Sequence, residues 1–123
     1  RHALLSAIAR QAVERMRDFN AQHMAITAWA FAVCGVSDSQ LFEAISRPAL
    51  ERISSFEAQD LATTAWSFAT LAVQNVPLMN AISEEALRKL RNFAPQNITN
   101  SAWSMARLAI CDVPFMAAIS NAA

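Results

Sequence analysis

A positive charge recurs at one fixed step along this chain: Arg15, Arg52 and Lys89 lie 37 residues apart. Arg17 and Arg91 form a second column, interrupted by Ser54, and Arg88 precedes Lys89. Cations at a constant interval suit the evenly charged backbone of a nucleic acid. They equally suit a solvated helix face on which Arg and Lys stems cover apolar surface, and Glu14, Glu51, Glu84 and Glu85 share that side. A column of changing polar residues, His23, Asp60 and Asn97, keeps the same step. Proteins that read one base per repeat use variable polar side chains of this kind; the same residue types also cap the first turn of a helix. Glu14, Glu51 and Arg88 form another variable column, as do Asp18, Ser55 and Asn92. Gln22, Gln59 and Gln96 do not vary. Their constancy points to a brace that bonds backbone at a turn.

Catalysis finds no footing. His2 and His23 are the only histidines, and neither has a carboxylate or thiol spaced to complete a triad. No glycine-rich phosphate loop and no metal-spaced Cys/His set occurs. Glu84 and Glu85 are adjacent and point apart on a helix. A non-enzyme is therefore expected, with no metal, cofactor or small-molecule substrate. Cys34 and Cys111 occupy different columns and read as reduced packing residues.

The step that orders these charges is set by large apolar residues. Trp29, Trp66 and Trp103 keep it, as do Phe19, Phe56 and Phe93. Such a period is the signature of a repeat array. Three full units, 4–40, 41–77 and 78–114, tile the chain, and residues 115–123 begin a fourth. The whole of 1–123 reads as one segment, an excerpt of a longer array. Each unit reads as two helices. Helix A starts after Asp38, Asn75 and Asp112, with Pro77 and Pro114 in the first turn. Its apolar residues recur every three or four positions, through to Phe56 in the second unit and Phe93 in the third. Pro48 predicts a kink or restart within it. Helix B starts near Ala21, Ala58 and Pro95 and is apolar around most of its circumference, so it must be buried. One narrower stripe is polar or variable: His23, Ile26, Ala30 and Val33, then Asp60, Thr63, Ser67 and Thr70, then Asn97, Asn100, Ser104 and Arg107. Gly35 is a natural stop for the first B helix. The alanine columns headed by Ala28 and Ala32 permit close helix approach, and the tryptophans are expected to fill the space between helices. Truncating one would then cost about 3–5 kcal/mol. The expected fold is all-α, an α-α solenoid of tandem 37-residue helix-turn-helix repeats in which each unit covers its neighbour's core.

The B-helix motif runs Phe56-Glu57-Ala58-Gln59-Asp60-Leu61-Ala62-Thr63-Thr64-Ala65-Trp66-Ser67-Phe68-Ala69, and returns with variation in the other units. It resembles the octotricopeptide repeat, whose core is Gln-x-Leu-Ala-Asn-x-x-Trp-Ala-x-Ala. Asn100 comes nearest to the family's asparagine, where Thr63 and Ile26 depart from it. The unit is one residue shorter than is usual there, and the aromatic and proline residues that open helix A in that family are mostly missing. Similar Trp-Ala-Phe-Ala repeats are abundant in dinoflagellate and other algal proteins. The resemblance implies a soluble chloroplast or mitochondrial protein that binds single-stranded transcripts and acts in their stability, processing or translation.

Composition leaves a second class open. The chain is 54% hydrophobic and 16% charged with no net charge, which fits a packed protein and argues mildly against a dedicated polyanion binder. The zero hides a split: the helix A segments carry nine Arg and Lys against six acidic residues, and the remainder one against four. Its longest apolar run, Met24 to Val36, is too short to span a membrane. Low charge, exposed apolar ends and a small-residue strip on helix A (Ala7, Ala44, Ala81 and Ala118) would equally suit a protein scaffold. Its partners would be subunits of a large organellar assembly of ribosome or photosystem type.

Overall fold

The structure is a computed structural model that describes residues 2–108 together with 120 and 121. The expectations for Cys111, Asp112, Pro114, Ala118 and the fourth unit from Phe115 fall outside the described residues. Those described form six α-helices and no strand. The first helices of successive units are α1 (His2–Glu14), α3 (Ser39–Glu51) and α5 (Val76–Arg88). The second helices are α2 (Ala21–Val33), α4 (Ala58–Thr70) and α6 (Pro95–Arg107). All six are 13 residues long, and each starts 37 residues after its counterpart.

Local chemistry sets these limits. The Asp38 and Asn75 side chains cap α3 and α5, accepting from the backbone N–H of Leu41 at 3.0 Å and of Leu78 at 3.1 Å. Helix A stops earlier than its apolar pattern predicts. At Arg15, Arg52 and Lys89 the backbone leaves the α region, and a 3-10 turn follows: Met16–Asp18, Ile53–Ser55 or Leu90–Asn92. Phe19, Phe56 and Phe93 are then extended (φ −82, −79 and −77). Their carbonyls point out of the helical ladder. Pro48 does not restart α3 as expected. It sits in the last turn, so only one backbone bond is lost, and the Arg52 N–H still reaches the Pro48 carbonyl at 2.9 Å.

The second helices pack extensively on one another, α2 on α4 and α4 on α6, while first helices meet more lightly. Ala25, Ala28, Ala32, Ala62, Ala65 and Ala69 are buried, and such small side chains let the axes approach. Phe42 and Phe68 close the core edge-to-face with ring centroids 4.9 Å apart.

Helix B ends in a Schellman motif. Gly35 donates to Ala32 and Val36 to Phe31, at 3.0 and 2.9 Å, with Gly35 at φ +70. The second unit repeats the motif with Ala72 at φ +56, where Ala72 donates to Ala69 and Val73 to Phe68. A Cβ in the left-handed region costs about 1 kcal/mol. Ala72→Gly is therefore expected to stabilise the protein by up to about 1 kcal/mol, and Gly35→Ala to destabilise it by a similar amount, in urea unfolding.

Candidate nucleic-acid interface

The first basic column does not form a free track. Arg52 Nη1 donates to the Phe19 carbonyl at 2.8 Å. One unit later Lys89 Nζ donates to the equivalent Phe56 carbonyl at 2.6 Å and to Ser54 at 2.8 Å. Each cation thus clips its own helix A to the turn of the preceding unit, on the acceptor that the extended phenylalanine leaves free. Lys89 also meets Glu85 at 3.2 Å and Glu57 at 3.9 Å, and Arg88 meets Glu85 at 3.1 Å. Burial raises the proton affinity of the Glu85 carboxyl, but the bonds from Lys89 and Arg88 outweigh it and hold the group below its ordinary value. Arg15 is exposed, and Arg17 and Arg91 lie exposed in the 3-10 turns with no side-chain partner among the described residues.

The variable polar column does capping work. His23 Nδ1 accepts from the Asn20 N–H at 3.1 Å, Asp60 from Glu57 at 3.0 Å and Asn97 from Ala94 at 2.8 Å. All three occupy the third helical position of helix B and satisfy the backbone donor before it. Asn20 returns the bond to the His23 N–H at 2.8 Å. The constant glutamines do not brace backbone as expected. Gln22, Gln59 and Gln96 are exposed, and Gln59 bonds side chains: it donates to Thr63 at 3.0 Å and accepts from Asn97 at 3.2 Å.

The largest correction concerns the tryptophans. Trp29 and Trp103 are each 46% exposed and Trp66 is half-buried, whereas the expectation placed all three in the core. The buried aromatic positions are Phe31, Phe42, Phe56, Phe68 and Phe93 instead. On a helix, positions 22, 26, 29 and 33 share one face. Gln22, Ile26, Trp29 and Val33 are all exposed there. Gln59, Thr63, Trp66 and Thr70 repeat that face on α4, and Gln96, Asn100, Trp103 and Arg107 on α6. A groove of about 350 Å³ lies between α2 and α4, with Ile26 and Trp29 on one side and Gln59, Asp60 and Thr63 on the other. An indole beside amide, hydroxyl and carboxylate groups can stack on a flat ring and bond its edge. Among the described residues no His/Cys/Asp/Glu cluster is arranged for a metal, and no helix is long and apolar enough to cross a membrane.

The family model for the RNA-editing substrate-binding complex 6 protein matches residues 2–123. The chain belongs to this family. No curated protein matches it. For this member of the RNA-editing substrate-binding complex 6 family, the exposed tryptophan face was detectable in the sequence. Three residues before each tryptophan stand Ile26, Thr63 and Asn100, and four after it Val33, Thr70 and Arg107. A core stripe would not change character at both positions.

The Lys89 clip makes a pH-dependent prediction. Glu85 has a lowered folded value, so its stabilising contribution is present above the ordinary glutamate range and is lost as pH falls through the folded value. Lys89→Met removes bonds to two carbonyls and to Glu85 and should cost about 2 kcal/mol at neutral pH. The gap between wild type and variant should narrow on acidification, since protonated Glu85 no longer attracts Lys89. Urea midpoints taken from neutral pH down to well below the ordinary glutamate range measure this; a gap that stays constant throughout would show the Glu85 pairing to be without weight.

Proposed function

We propose that this chain is a non-catalytic RNA-binding part of an RNA-editing assembly, an α-α solenoid of 37-residue units whose second helices offer their tryptophan face to single-stranded transcripts. The observation that carries this reading is the partly exposed tryptophan at the same place in each unit, beside side chains whose character changes from unit to unit, Ile26, Thr63 and Asn100. Single-stranded RNA is bound by stacking bases on aromatic rings while polar side chains meet base edges. The octotricopeptide likeness of the helix B motif supports the same class of ligand. Of the two organelles that likeness implied, membership of an RNA-editing family favours the mitochondrion. The residues proposed for contact are Trp29, Trp66 and Trp103 with Ile26, Thr63 and Asn100. Arg17, Arg91 and Arg107 are exposed cations available to phosphates. Arg52, Lys89 and Arg88 are proposed instead to hold the stack together.

One observation favours a protein partner for the same face. Ile26 and Val33 are 51% and 57% exposed beside Trp29, an apolar patch that a helix of another subunit could cover. The two readings separate in one experiment. Trp29→Ala and Trp103→Ala should lower affinity for single-stranded RNA about tenfold each, as loss of a stacked base does, while leaving the melting temperature nearly unchanged because both rings are half exposed. RNA affinity that survives both changes, with loss of a co-purifying subunit, would overturn the RNA reading and establish a scaffold.

A further inference from the structure

We infer that the face formed by α1 at the Arg1 end is a docking seat for one more helix-turn-helix unit of the same 37-residue type, and that Arg15 clips that unit through a turn carbonyl. The inference rests on the stacked-unit reading of the fold and is independent of what the tryptophan face binds.

Two complete examples of the seat exist within the chain. Helices α3 and α5 each contact the first helix and 3-10 turn of the unit before them, and Arg52 and Lys89 each reach the turn phenylalanine carbonyl of that unit. The residues these contacts cover have equivalents in the first unit, and there they are open. Leu41 and Leu78 are 0% and 1% exposed, but Leu4 is 65% exposed. Ile45 and Ile82 are 0% and 2% exposed, but Ile8 is 43% exposed. Arg52 and Lys89 are half-buried, whereas Arg15 is exposed.

A concavity lies beside the opened Ile8 and Arg15. Ile8, Ala12, Arg15 and Phe19 line a pocket of about 370 Å³. Its walls are apolar, and its one cation occupies the place from which Arg52 and Lys89 donate. Apolar packing around a clipped phenylalanine carbonyl is the recognition that both internal junctions share. A unit of the same type matches both requirements, because its extended phenylalanine leaves a carbonyl outside the helical ladder. A general acidic or basic partner matches neither.

The test adds such a unit to the intact chain. A copy of residues 41–77 replaces residues 1–3, directly ahead of Leu4, as unit follows unit within the chain. Arg15→Ala and Arg15→Lys are then compared with and without the graft by urea unfolding and hydrogen exchange. The inference expects one cooperative transition at a higher midpoint, and new protection of the α1 amides. It expects Arg15→Ala to lower the folding constant about tenfold in the grafted protein and to be nearly neutral in the ungrafted one, a charged hydrogen bond being present only in the first. Arg15→Lys should restore most of the effect, as Lys89 serves in the third unit. Unfolding of the graft in a separate transition would overturn the inference, as would an equal effect of Arg15→Ala in both proteins. So would a symmetric dimer of the ungrafted chain, closed through this face, that the graft fails to displace. RNA affinity measured on the same proteins reports on the tryptophan face separately.

Discussion

Each helix here is 13 residues long, and that length is too short to hold itself together in water. Its stability has to come from neighbours. Two such helices still leave apolar surface uncovered, so the demand passes from each unit to the next. The chain meets it with two devices. Buried alanines let the second helices come together along their length. On the other side, an early exit from helix A leaves a phenylalanine carbonyl free, and the next unit's cation takes it. The first device supplies apolar contact without direction. The second fixes register, because a carbonyl and a cation meet at one offset only.

This division explains why the basic column repeats so faithfully and yet gives the protein little free charge. A guanidinium or ammonium donating to a half-buried carbonyl is doing structural work. Glu85 shows the cost of that use: the carboxylate is buried beside Lys89, and the bonds from Lys89 and Arg88 offset that burial and favour its charged form. The second unit manages without such a group, since Pro48 stands at the equivalent position and Arg52 has a single carbonyl to satisfy.

Among the described residues, the number of α-helices and the starts of α2 to α6 were legible in the sequence, because a strict period acts as an internal alignment. Asp38, Asn75 and Gly35 behave as their types dictate. The misreadings share one cause. A residue that keeps its identity from unit to unit looks structural, and constancy cannot tell a core position from a surface position that meets the same thing each time. Trp29 reads as a core residue on that ground, although Ile26 and Val33 share its face and change freely in the other units. Arg52 was assigned outward because it is charged; its destination depends on where the neighbouring turn leaves a carbonyl, which only three-dimensional placement reveals. The end of helix A at Glu51 escaped notice because Ile53 and Phe56 continue the apolar spacing through the 3-10 turn.

The redistribution of roles also bears on the RNA binding proposed above. A track of free cations binds by releasing counterions, and its affinity collapses as salt rises. With Arg52 and Lys89 committed and no net charge overall, that term is small here. Stacking on half-exposed indoles is far less sensitive to salt and depends on unpaired bases. Its strength grows with the number of units that present a ring. The same junctions that set the distance between helices therefore set the distance between rings. A change in the clip would alter the spacing at which the rings are presented, even though no clipped residue lies on the tryptophan face.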